Sequence, residues 1–123
     1  MEDTRKKVLI IDDSSVTLGS VSHMLGSKYK VYCANSGLKA IEIIAVNPPD
    51  LIFLDFAMPE LDGKDTYEVI KQFPGMEDVP IVFLTSMADS ERVKELLRLR
   101  PAGYLLKPPL PFRVLEAAKK YLE

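Results

Sequence analysis

Apolar residues fall along the chain in two alternating patterns. The first is a set of short runs, each closed by polar or charged residues: 8–11 before Asp12-Asp13, 31–34 before Asn35-Ser36, 51–54 before Asp55, 81–84 before Thr85-Ser86, and 104–106 before Lys107-Pro108-Pro109. The first, third and fourth are continuously apolar, which suits strands covered on both faces, as in a parallel sheet. Between the runs, apolar residues recur at helical spacing. Ser14 or Ser15 caps a first helix with Leu18, Val21, Met24 and Leu25 inward, stopped by Gly26. Gly19 and three serines give that helix poor propensity, so packing must hold it. Ser36 caps a second with Ala40, Ile41, Ile44 and Ala45 inward, ended by Asn47-Pro48-Pro49. Asp62 caps a third with Thr66, Val69, Ile70 and Phe73, broken by Pro74-Gly75. Ser90 caps a fourth with Val93, Leu96 and Leu97, ended by Pro101. Pro111 suits the first turn of a fifth, whose apolar face is Val114, Leu115, Ala118, Tyr121 and Leu122.

Strand and helix thus alternate five times. That order predicts an α/β fold, a doubly wound parallel sheet with helices on both faces and right-handed crossovers. No linker, low-complexity segment or internal repeat interrupts it, so residues 1–123 read as a single domain with its core at about 7–122. Parallel strands end on one side. Asp12, Asp13, Asp55, Thr85, Ser86 and Lys107 should therefore share one edge, where open α/β sheets place ligands and chemistry.

Composition narrows the class. The 123 residues are 47% hydrophobic and 28% charged, ordinary for a globular protein with one real core. A net charge of −2 and a pI near 5.5 offer no electrostatic reason for a nucleic-acid or membrane-surface partner. Cys33 is the sole cysteine, so no internal disulfide forms. No apolar stretch approaches a membrane helix, and the charged start MEDTRKK lacks a signal-peptide core, which points to the cytoplasm. The final Leu122-Glu123 admits a chain cut from something longer.

Three crowded carboxylates repel one another, and a divalent cation relieves that repulsion. Mg²⁺ suits the site better than Zn²⁺, because the donors are oxygens and neither His nor Cys is offered; Mn²⁺ is the alternative hard ion. A carboxylate nucleophile, such a cation, a hydroxyl and a lysine together describe phosphoryl transfer. Aspartate accepts phosphoryl groups as an acyl phosphate, Thr85 can donate to one oxygen, and Lys107 can pair with another.

With these residues the sequence resembles the receiver domains of two-component response regulators. The marks are Asp12-Asp13, Asp55 followed by Met58-Pro59 and Asp62-Gly63, Thr85, and Tyr104-Leu105-Leu106-Lys107-Pro108, with Asn35-Ser36-Gly37 similar as well. The resemblance covers roughly residues 7–122 and implies strand order 2-1-3-4-5 in a flavodoxin-like sandwich. It implies that Asp55 is the phospho-acceptor, loaded from a phosphohistidine of a sensor histidine kinase or phosphotransfer protein. Asp13 and Asp55 would ligate Mg²⁺ directly, Asp12 through water, and Ala57 through its backbone carbonyl. Thr85 and Tyr104 would form the switch, with Ser86 and Lys107 at the phosphoryl group, and the Lys107-Pro108 bond would be cis. The output face toward a downstream effector would be the fourth helix, fifth strand and fifth helix.

Some residues depart from that pattern. Ala57 and Met87, each two positions beyond a site residue, cannot hydrogen-bond attacking water, which predicts a long-lived aspartyl phosphate. Pro109 and Arg100-Pro101-Ala102-Gly103 border the output face and are read as stiffening or reshaping it. His23 reads as an ordinary histidine, Cys33 as a small buried hydrophobe, and Arg92, Lys94, Arg98 and Arg100 as a solvated basic face. Other function classes fit less well. An aspartate-nucleophile phosphohydrolase would carry a second acid where Ala57 stands. A phosphorylation-independent pseudo-receiver adaptor would have a broken site. A flavin binder would need a phosphate-cradling loop where Asp12-Asp13 stands. The expected role is a switch that assists its own loading and turns over no external metabolite.

Overall fold

Three strands with almost no exposed side chain form the centre of the sheet. In the computed structural model, which describes residues 3–58, 62–86 and 90–123, these are β1 (Lys7–Ile11), β3 (Leu51–Asp55) and β4 (Ile81–Thr85). β2 (Lys30–Ala34) and β5 (Gly103–Leu106) are the edges. All pairings are parallel and the order is β2-β1-β3-β4-β5, the order implied by the resemblance. Among the described residues five helices alternate with the strands: α1 (Ser15–Leu25), α2 (Gly37–Val46), α3 (Gly63–Gln72), α4 (Ser90–Arg98) and α5 (Pro111–Leu122). Among the described residues no helix is long and apolar enough to cross a membrane.

Successive strand residues point to opposite faces, so each continuous run feeds two cores. Leu9, Ile11, Ile52, Leu54, Ile81 and Phe83 face α2, α3 and α4, where Ala40, Ile44, Ile70 and Leu96 close over them. Val8, Ile10, Leu51, Phe53, Val82 and Leu84 face α1 and α5, against Val21, Leu25, Val114 and Ala118. This double coverage is why alternation is missing from the sequence.

The expected caps at Ser14, Ser36 and Asp62 are found, accepting from the amides of Thr17, Lys39 and Asp65 at 3.3, 3.1 and 3.0 Å. Ser90 opens α4 itself, and its side chain lies outside the described residues. Helix faces are rotated slightly from the expected ones. Ala45, Val69, Leu97 and Leu115 are exposed, while Tyr67 and Ala117 are buried in their place. Cys33 corrects a second expectation, because it is exposed. It shares register with Ile10 on the α1 side, but β2 is an edge strand, and what it meets there is polar: the Ser22 Oγ of α1 lies 3.0 Å from Sγ. His23 is exposed on α1.

Candidate functional site

Strand ends bring the polar groups together, as parallel topology requires. Asp12 follows β1 directly, and its amide still pairs with Ala34 of β2 at 3.0 Å. Asp55 is the last residue of β3, in register with Leu84. Thr85 ends β4, and its carbonyl accepts from the Lys107 amide at 2.8 Å, which ties the fourth and fifth strand ends to each other. Asp12 is fully buried, Asp55 and Thr85 nearly so, and Asp13 is exposed.

One ammonium serves two buried acids. Lys107 Nζ lies 2.7 Å from Asp12 Oδ2 and 3.3 Å from Asp55 Oδ2. The other oxygen of each acid is held by backbone: Asp12 Oδ1 accepts from the Ser14 amide at 2.9 Å, and Asp55 Oδ1 from the Ala57 amide at 3.1 Å. Burial, and then the neighbouring Asp12 charge, push the Asp55 carboxyl up to about 7, against the opposing pull of Lys107 and the Ala57 N–H. Burial alone would lower the Lys107 ammonium, but Asp12 and Asp55 outweigh it and raise it above the ordinary lysine value.

The donor set fits a hard cation. Asp12, Asp13 and Asp55 each offer a carboxylate oxygen within 4.8 Å of the others. Asp12 Oδ2 is buried without a hydrogen bond of good geometry, its close neighbour being the lysine charge. No histidine or cysteine belongs to the group, and crowded oxygen donors are what Mg²⁺ or Mn²⁺ accepts.

The other expected residues differ in burial and position. Ala57 is exposed beside Asp55, and Ser86 is exposed just past β4. Tyr104 is 40% exposed on β5, in register with Phe83 and so on the α4 side of the sheet. The Lys107-Pro108 peptide is cis. Pro59 and Met87 lie outside the described residues, so the expectation about Met87 does too.

Two parts of the site escaped the sequence reading. One is the amide of Ala57, a backbone donor that no side chain signals. The other is the steric role of Gly63, named above only as a mark of the resemblance: at the start of α3, a Cβ here would stand 2.4 Å from Phe56 Cα and 2.6 Å from the Asp55 carbonyl oxygen. A glycine directly after a helix cap, where a helix former would serve better, is the signal that could have found it. Its amide donates to the Phe56 carbonyl at 3.0 Å, so α3 begins pressed against the backbone that carries Asp55.

Comparison with known proteins gives concordant matches. The model of the response regulator receiver domain family matches residues 8–119. A probable cyclic di-GMP phosphodiesterase of Vibrio cholerae is 37% identical over 109 residues, covering 88% of this chain but only 25% of that protein. The chain thus spans a quarter of that relative's length. The two-component response regulator ORR5 of Oryza sativa is 31% identical over 117 residues, covering 94% of this chain and 87% of that one. Among solved structures, the chemotaxis protein CheY4 of Vibrio cholerae superposes with a TM-score of 0.88 at 28% identity, covering 97% of this chain and all of that one.

Proposed function

Because this chain belongs to the response regulator receiver domain family, we propose that it is a phosphorylation-dependent switch in a two-component phosphorelay, with Asp55 as phospho-acceptor. The observation that carries the reading is the convergence of Asp12, Asp13, Asp55 and Lys107 at one sheet edge, with the lysine 3.3 Å from the Asp55 carboxylate. The donor is a phosphohistidine of a sensor histidine kinase or phosphotransfer protein. A carboxylate oxygen of Asp55 attacks phosphorus, an O–P bond forms, and the P–N bond to the imidazole breaks. The imidazole keeps the electron pair and takes up a proton.

The chain's own groups prepare that step. The Ala57 amide fixes one oxygen of Asp55 and so sets the direction of the other. Lys107, shared between Asp12 and Asp55, would pair with an incoming phosphoryl oxygen. Thr85 supplies a hydroxyl from the neighbouring strand end, and Ser86 follows it. Asp13, Asp55 and the Ala57 carbonyl would hold Mg²⁺ or Mn²⁺, with Asp12 acting through water; when bound, the ion neutralises charge on the phosphoryl oxygens and orients the group. Movement of Thr85 toward a phosphorylated Asp55 would let Tyr104, now 40% exposed, turn inward and reshape the face made by α4, β5 and α5 for an effector protein or domain. In this reading the domain assists its own loading and unloading and turns over no external metabolite.

The test is intact mass after incubation with acetyl phosphate and Mg²⁺. Wild type should gain one phosphoryl group and Asp55→Asn none. Phosphorylation of the variant, or none of wild type, would overturn the reading.

A further inference from the structure

Tyr67 sits in the middle of α3, nine-tenths buried, and makes contact in two directions. Its ring stacks on Phe83 of β4, with centroids 5.4 Å apart and planes at 30°. Phe83 meets Phe56 edge-on at 5.1 Å, and Phe56 directly follows Asp55. At its other end the Tyr67 hydroxyl donates to the Leu99 carbonyl at 3.2 Å, just beyond the last turn of α4. One side chain therefore joins the aromatic stack beside Asp55 to the end of another helix.

That helix is the least embedded of the five. Leu96 is its sole fully buried side chain among the described residues, and Leu97 is half exposed. The other four helices each bury two or more. After Leu99 the chain turns at Arg100, whose φ of 53° is left-handed, and four residues later reaches Tyr104, the register partner of Phe83. A phenylalanine would serve the stacking equally well. The hydroxyl satisfies itself and a carbonyl left without a helical partner, and only while the end of α4 stays where it is.

We propose that Tyr67 is a positioning residue for the Asp55 site: its hydroxyl holds the C-terminal end of α4 in the arrangement seen here and weights the domain against the phosphorylated arrangement, in which that hydrogen bond is released. The inference rests on the receiver reading above. A phosphoryl group or its mimic favours the second arrangement only by its differential contacts, and the Tyr67 bond opposes it. By reciprocity, removing the bond raises the affinity of the Asp55 site for the mimic.

The experiment compares wild type, Tyr67→Phe and Asp55→Asn for beryllofluoride affinity in Mg²⁺, and for urea stability without it. Tyr67→Phe is expected to bind about two- to tenfold tighter, the range set by one net neutral hydrogen bond. Amide exchange should also rise at Leu99 and Arg100, which bond to Leu96 and Leu97. Equal or weaker affinity, or unchanged exchange at those amides, overturns the proposal, and lowered stability with equal affinity assigns the hydroxyl a structural role alone. If wild type binds and Asp55→Asn does not, the receiver reading stands whatever Tyr67→Phe does. If wild type does not bind, both fall.

Discussion

Lys107 Nζ lies 3.3 Å from Asp55 Oδ2, so the charge that relieves this buried carboxylate also competes with any cation drawn to it. A unit charge about 5 Å from a divalent ion in water opposes its binding by about 1.7 kcal/mol. Lys107→Met is therefore expected to bind Mg²⁺ roughly tenfold more tightly than wild type, by isothermal titration at low salt. The same variant leaves Asp12 and Asp55 without their shared cation, so it should lose stability in EDTA and recover it as Mg²⁺ is added. Weaker Mg²⁺ binding by the variant would show that the lysine organises the carboxylates rather than competing for them.

Gly63 makes the second prediction. Added at this position, a Cβ would meet backbone atoms of Asp55 and Phe56 at 2.4 to 2.7 Å, and backbone at and just past the end of a central strand yields little. Gly63→Ala should cost about 1–3 kcal/mol in urea unfolding, against the modest gain that alanine normally brings to a helix. Because the displaced atoms carry Asp55, phosphorylation by acetyl phosphate should slow as well. A variant as stable and as fast as wild type would mean that α3 shifts freely.

The legible parts of the fold were those set by burial on both faces of a strand. Residues 51–54 and 81–84 announced themselves as central strands because no polar residue interrupts them, and their C-terminal neighbours Asp55 and Thr85 then had to lie on one edge. The caps at Ser14, Ser36 and Asp62 were legible because capping is local chemistry. What depends on the rotation of a docked helix was not. Ala45 and Leu115 fit an apolar stripe yet face outward, while Tyr67, left off the expected face of the third helix, is buried. Cys33 looked like core because sequence alone does not say how far α1 covers an edge strand. The Ala57 amide on Asp55 could not be read at all, since every residue but proline carries that donor.

Tyr29 gives a pH dependence outside the site. Burial, and then its hydrogen bond to the Glu123 carboxylate, push the phenol up to about 12 from an ordinary 10.0. Between those values the unfolded chain has released the proton that the folded chain still holds, so the native state binds more protons and stability falls as pH rises. That decline should run from about pH 10 to 12 in urea unfolding and be smaller in Tyr29→Phe. In a phenolate absorbance titration, the same substitution should remove a late step among the five tyrosines. An unaltered curve would place the late titration elsewhere.

Ala57 makes the last prediction, on the lifetime of the aspartyl phosphate. Hydrolysis needs a water aligned behind the phosphorus, and a neighbouring side chain that can hydrogen-bond that water lowers the barrier. Ala57 is exposed beside Asp55, and its methyl group cannot hydrogen-bond a water. Its amide is already committed to Asp55 Oδ1 at 3.1 Å, which leaves no backbone donor of this residue for the task. Substituting Asn keeps that amide and adds a polar side chain at the rim. Decay of phosphorylated Ala57→Asn, followed by loss of the phosphoryl mass after removal of acetyl phosphate, should be about two- to tenfold faster than wild type, the effect of one hydrogen bond gained in the transition state. Pairing it with Met87→Glu should speed decay further. A rate equal to or below that of wild type would place control of the lifetime in groups other than these two.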